Sequence, residues 1–146
     1  MLIDDHINML PDNPLRGKNF DELGSRFPDM NQPYNKEMNG MLKQIATEIG
    51  ITLHEGVYTP VAGPNLETRA EYRYLRTIGT DAVGTSTVPE VIVANHMSMP
   101  CVAISVLTDE CDPDNLQSVS IAEILEIAGR AEKDLTKLYV ELIGKI

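Results

Sequence analysis

The chain has 146 residues, 42% of them hydrophobic, and 12 basic against 22 acidic side chains give a formal net charge of -10. That length supports one hydrophobic core and no more than one domain. The negative balance argues against nucleic-acid and anionic-membrane partners, because phosphate backbones and acidic lipids repel it.

Taken in chain order, Met1–Ile7 (MLIDDHI) reads as a short strand with polar residues at its end, where His6 is expected to be structural. Residues 8 to 33 form a long irregular segment rich in Asn, Pro, Asp and Gly, the kind of loop that serves function or an interface. Pro33–Gly50 has Tyr34, Met38, Met41, Leu42, Ile45 and Ile49 at three- and four-residue steps, which predicts a helix ended by Gly50. Glu55-Gly56 reads as a turn, and Val57–Ala62 as a short strand ending at Gly63-Pro64. Asn65 is then the expected N-cap of a helix running to about Ile78, with Gly79 as its stop. Asp81–Gly84 is a second short strand. After it Thr87-Val-Pro-Glu90 has capping-box spacing, and Pro89 fits a first turn that needs no N–H donor. His96, late in that helix, is expected to be a buried structural histidine. Pro100–Leu107 (PCVAISVL) is a continuous apolar run, the pattern of a strand covered on both faces. Asp109 to Asp114 is acidic but lacks the glycine of a calcium loop, so a solvated turn is expected there. Ile121 to Ile143 closes as an amphipathic helix with Ile124, Leu125, Ala128, Leu135, Leu138 and Leu142 on one face, expected to cover the sheet without contributing chemistry.

Two strand-to-helix turns joined by a crossover helix place Glu67 and Ser86 at one carboxyl edge of a parallel sheet, where open α/β sheets bind ligands. Ser86 falls at a helix N-terminus, a place that favours an anion such as phosphate, although a plain capping role is equally compatible. Glu67 in a first helical turn complements the helix dipole with no further role required. No apolar run reaches membrane-spanning length, and no basic-then-apolar leader opens the chain. Cys101 and Cys111 are too few for a disulfide framework and lack zinc spacing, so reduced thiols in a cytoplasmic protein are expected.

The wording of the central run carries more. GPNLET at 63–68 followed by GTSTVPEVIVANH at 84–96 resembles the GPxxET and GMSTVPE signatures of the trimeric purine nucleoside phosphorylases. Asp5-His-Ile-Asn8, Asn13-Pro-Leu-Arg-Gly17 and Arg26-Phe27-Pro28 also fit, so that the resemblance covers residues 1–143 and is poorest after Asp109. It implies an α/β fold, a three-layer mixed sheet flanked by helices, of which residues 1–146 are the C-terminal portion of one domain. It implies reversible phosphorolysis of purine nucleosides to free base and ribose 1-phosphate, with inorganic phosphate as co-substrate and no metal or other cofactor.

By that resemblance Glu67 orients the purine and Ser86 binds phosphate. Tyr58, Leu66, Val83 and Thr85 border the nucleoside, with packing at a strand start an equal reading for Tyr58, Leu66 replacing a common aromatic and Thr85 a methionine. Phe27 would cross to a neighbouring subunit and close its pocket, which implies a homotrimer. Asp109 stands where members with 6-oxopurine preference carry asparagine, and the TDxxD wording is closer to the related methylthioadenosine phosphorylases. Glu67 accepts the N1–H that 6-oxopurines possess and adenine lacks, whereas Asp109 accepts from a 6-amino group or, when protonated, donates to N7. A 6-oxopurine preference is the expectation, with adenosine or methylthioadenosine the alternative. The family's sugar-contacting histidine has no counterpart in Val119-Ser-Ile-Ala122. The resemblance begins part-way along the family's chain, so its Gly-rich phosphate turn and its phosphate-binding arginine and histidine have no match here. A non-catalytic fragment is therefore the reading of a different class.

Overall fold

A computed structural model describes residues 1–146. Its elements are β1 (Leu2–His6), α1 (Lys36–Glu48), β2 (Glu55–Pro60), α2 (Arg69–Thr77), β3 (Ala82–Gly84), α3 (Val88–His96) and α4 (Ile121–Ile143). The three strands form a parallel sheet in the order β1-β2-β3. Because β2 and β3 run in parallel, the turns after both leave at the same carboxyl edge.

Alternation along β1 sends Leu2 and Ile3 to opposite faces and so organises two cores. Ile3 joins Tyr34, Tyr58, Ala82 and the α3 residues Val88, Val91 and Ile92. Leu2 joins Leu42, Ile45 and Ala46 of α1 with Leu138 and Leu142 of α4. The result is three layers, α3 on one face and α1 with α4 on the other. The helix expected over 33–50 begins later, because Asn35 caps it by accepting from the Met38 N–H at 2.9 Å. No helix is long and apolar enough to cross a membrane.

Four expectations need correction. Glu55 and Gly56 lie inside β2, paired with Leu2 and Ile3, and are not a turn. Gly56 is there because a Cβ would stand 2.7 Å from the Asp81 carboxylate, which accepts from the Val57 N–H at 2.7 Å. The Pro100–Leu107 run makes a single antiparallel bridge, Leu2 with Ile104, in place of a full strand. It borders β1 on one side, and the Cys101 carbonyl is taken by the Asn35 N–H at 2.8 Å. The long helix α4 has the expected bounds, but only Leu138 and Leu142 are buried, and Leu125 is 67% exposed. Finally, Thr87 and Glu90 form no capping box: Thr87 has φ 75° and makes no side-chain cap.

Candidate functional site

The helix expected from Asn65 starts later and thereby changes the setting of Glu67. Thr68 is the N-cap of α2 and forms a reciprocal capping box with Glu71. The Thr68 N–H donates to Glu71 Oε2 at 2.7 Å, and the Glu71 N–H donates to Thr68 Oγ1 at 3.3 Å. Asn65 instead turns its side-chain amide onto the Leu66 carbonyl at 3.1 Å. Glu67 therefore lies just before the helix, not within its first turn.

From that position Glu67 faces a cleft of about 930 Å³ that also takes in Leu66, Tyr72, Thr108, Asp109 and Cys111. Its far wall is α4, through Glu123, Glu126, Ile127 and Arg130. The N-terminal half of α4 thus lines the cleft, while its C-terminal half covers the sheet through Leu138 and Leu142, as expected. Thr108 donates its hydroxyl to Asp109 Oδ2 at 2.7 Å, holding that carboxylate as an acceptor. Arg73 of α2 forms an ion pair with Asp114 and ties the acidic turn to the helix.

The other predicted residues form two separate groups. Tyr58, Val83, Thr85 and Ser86 gather at the end of β3, outside the large cleft. Tyr58 is only 3% exposed, a core residue whose hydroxyl accepts from the Ser86 N–H at 3.4 Å. Of the two roles open to it, packing is the one its burial supports. Gly84 permits this, since a Cβ there would lie 2.2 Å from the Tyr58 oxygen. Ser86 is exposed, with Oγ 3.2 Å from the Thr87 hydroxyl. The methyl of Thr85 lies 3.2 Å from where a Gly63 Cβ would stand, so the GPNLET turn starts against Thr85.

Phe27 belongs to a second cleft, of about 540 Å³, with His6, Asn8, Arg26 and Met30. It is 86% exposed, the most exposed large apolar side chain of the loop. Arg26 pins that loop by donating to the Leu15 and Gly17 carbonyls. Both histidines expected to be structural have protein partners. His6 Nδ1 meets the Tyr34 hydroxyl at 3.1 Å, and burial lowers its pKa, opposed by nearby Asp5. His96 is buried and its Nε2 meets Asn19 Oδ1 at 3.1 Å.

Tyr72 was not singled out by the sequence reading. Burial first, then the Cys111 thiol and the Glu67 carboxylate beside it, raise its phenol pKa. The signal for it was its place four residues after the N-cap, on the side of the helix that faces back towards Glu67.

Known proteins match this arrangement throughout. The sequence model of the Phosphorylase superfamily matches residues 1–144. Purine nucleoside phosphorylase 1 of Bacillus subtilis is 43% identical over 145 residues, covering 99% of this chain and 54% of that protein. The mouse purine nucleoside phosphorylase is 41% identical over 150 residues, covering 98% of this chain and 52% of the relative. Among solved structures, Schistosoma mansoni purine nucleoside phosphorylase in complex with inosine superposes with a TM-score of 0.94 at 30% identity, over 99% of this chain and 54% of that one. The same enzyme in complex with adenosine gives 0.93 at 31%. The chain spans about half the length of the curated relatives it matches. With the GPNLET and GTSTVPE turns at the carboxyl edge of a parallel sheet and a family match across nearly its whole length, this chain belongs to the phosphorylase superfamily.

Proposed function

We propose that the protein carrying this chain catalyses reversible phosphorolysis of purine nucleosides, with 6-oxopurines favoured. The observation that carries this is the meeting of Glu67 and Asp109, from two motifs far apart in sequence, on one cleft. A phosphate oxygen forms a bond to the anomeric carbon of the ribose as the bond to purine N9 breaks. The bonding pair leaves with the base, which takes a proton at N7. Catalysis is positioning and electrostatic stabilisation, with no covalent protein intermediate. The reaction asks for no metal or organic cofactor, since inorganic phosphate is the second substrate.

In this reading Glu67 accepts the purine N1–H and Asp109 stabilises the departing base. Leu66 packs beside the ring. Ser86 holds phosphate at the N-terminus of α3, where no side chain caps the first turn. Val83 and Thr85 border the sugar, and Phe27 reaches a neighbouring copy in a homotrimer, a role its exposure supports. Residues 1–146 are the C-terminal portion of one phosphorylase domain. A cytoplasmic location is supported by the two unpaired cysteines.

A 6-aminopurine nucleoside, adenosine or methylthioadenosine, is the second reading. The Thr108–Asp109 hydrogen bond favours it, because a carboxylate held as acceptor suits an amino group. The test is phosphate-dependent release of hypoxanthine from inosine, followed by absorbance, in the parent and in Glu67→Gln. We expect the variant to lose at least tenfold in kcat/KM for inosine, the loss of one charged acceptor. Inosine turnover that does not depend on phosphate, or is untouched by the substitution, contradicts the reading.

A further inference from the structure

A capping box is often accompanied by a staple, two apolar side chains at the residue before the N-cap and at the fourth helical residue, which the turn brings together. In α2 the N-cap is Thr68, so the staple positions are Glu67 and Tyr72. The same geometry therefore brings together a carboxylate and a phenol. Both line the large cleft, and Cys111 joins them there from the loop after Asp109. The next residue of the helix, Arg73, holds that loop through Asp114. The phenol, with its raised pKa, stays protonated across the ordinary pH range and remains a donor.

We propose that Tyr72 is a positioning residue that acts through Glu67: its hydroxyl donates to one carboxylate oxygen and leaves the other free for the purine N1–H. The proposal rests on the reading of Glu67 as the base-recognising group. An unanchored glutamate samples several rotamers and loses entropy when base binds, whereas a stapled one is ordered beforehand. Tyr72 touches no reacting atom in this scheme. Its effect is to fix which oxygen of Glu67 points into the cleft.

The test is a double-mutant cycle on hypoxanthine binding, measured by titration calorimetry on the protein carrying this chain, with Tyr72→Phe, Glu67→Gln and the pair. The expected result is about tenfold weaker binding for Tyr72→Phe in the parent background and less than twofold in the Glu67→Gln background. Equal weakening in both backgrounds marks a merely structural ring and overturns the proposal. So does a Tyr72→Phe variant that binds like the parent while Glu67→Gln is weakened, an outcome that leaves the functional reading standing. If Glu67→Gln binds hypoxanthine unchanged, or the parent protein binds none at millimolar base, the reading of Glu67 falls and the proposal falls with it. Thermal melts of all four proteins check folding. The contact itself is read without ligand from the ζ-carbon resonance of Tyr72. That resonance shifts at neutral pH in Glu67→Gln if the two side chains meet, and an unmoved resonance contradicts the contact.

Discussion

The sheet and the cleft are held together in different ways. Around β1 to β3 the side chains are buried from both faces, and backbone bonds join residues distant in sequence, such as Ile3 to Ala103 and Asp81 to Val57. Along 108–120 the bonds are local: the Asp114 N–H to Asp112 Oδ1, the Gln117 amide to Asn115. The Arg73–Asp114 pair ties this stretch to α2, and that pair is exposed. The buried frame thus positions the strand ends, while Asp109 sits on a segment held mainly by local hydrogen bonds. Substitutions in the frame should register as stability, and substitutions in the cleft as recognition.

The sharpest way to break that division is inside the frame. Leu42 is fully buried between α1, β1 and α4. Leu42→Ala should cost about 2–5 kcal/mol in a urea melt, in the range of large-to-small core substitutions. A loss below 1 kcal/mol would mean that the core is less continuous than its burial suggests.

Gly84 lies on the border between the two regions. A methyl there would stand 2.2 Å from the Tyr58 oxygen, which itself receives the Ser86 N–H. Gly84→Ala should destabilise by about 1–3 kcal/mol, as overpacking does. It should also displace Ser86 and weaken phosphate binding, measured by calorimetry with inorganic phosphate. A variant that loses stability but binds phosphate like the parent would separate Ser86 from the site.

The smallest effect concerns pH. Burial lowers the His6 pKa below its ordinary 6.5, so the unfolded chain takes up its proton first as pH falls. The stability contributed by neutral His6 is present in full above pH 6.5. It declines as pH falls below that value and is lost once the lower folded-state pKa has been passed. Urea midpoints from pH 7.5 to 5.5 should fall in the parent and fall less in His6→Gln. Parallel profiles would show that the burial of His6 contributes nothing that depends on the proton.

Periodicity made β1, β3 and the bounds of α4 legible, because their patterns are long or cleanly bounded. The start of α2 was not, since Asn65 and Thr68 are both good caps and the choice fell to Glu71, whose side chain closes the box with Thr68 alone. Gly56 looked like a turn residue because sequence does not show the Asp81 carboxylate that needs its missing Cβ. The Pro100–Leu107 run has strand composition, but pairing is a tertiary matter and only Ile104 finds a bridge. In the cleft, no spacing connects Glu67 with Asp109; their expected meeting came from the resemblance. Tyr72 was missed because an aromatic in an amphipathic helix reads as packing until the position of the cap is known.

The measurement closest to the central claim is the ratio of kcat/KM for inosine and adenosine, across pH 6–8, in the parent protein and in Asp109→Asn. Glu67 facing adenine N1 opposes two acceptors, an unpaired contact costing about 1–3 kcal/mol. In the proposed roles, Asp109 offsets part of this by accepting from the 6-amino group. We therefore expect the parent to favour inosine while retaining appreciable adenosine turnover. Asp109→Asn should raise the inosine-to-adenosine ratio, because the amide donates to O6 at any pH. A parent that strongly prefers adenosine, or a ratio left unchanged by Asp109→Asn, would contradict the roles assigned to the two carboxylates.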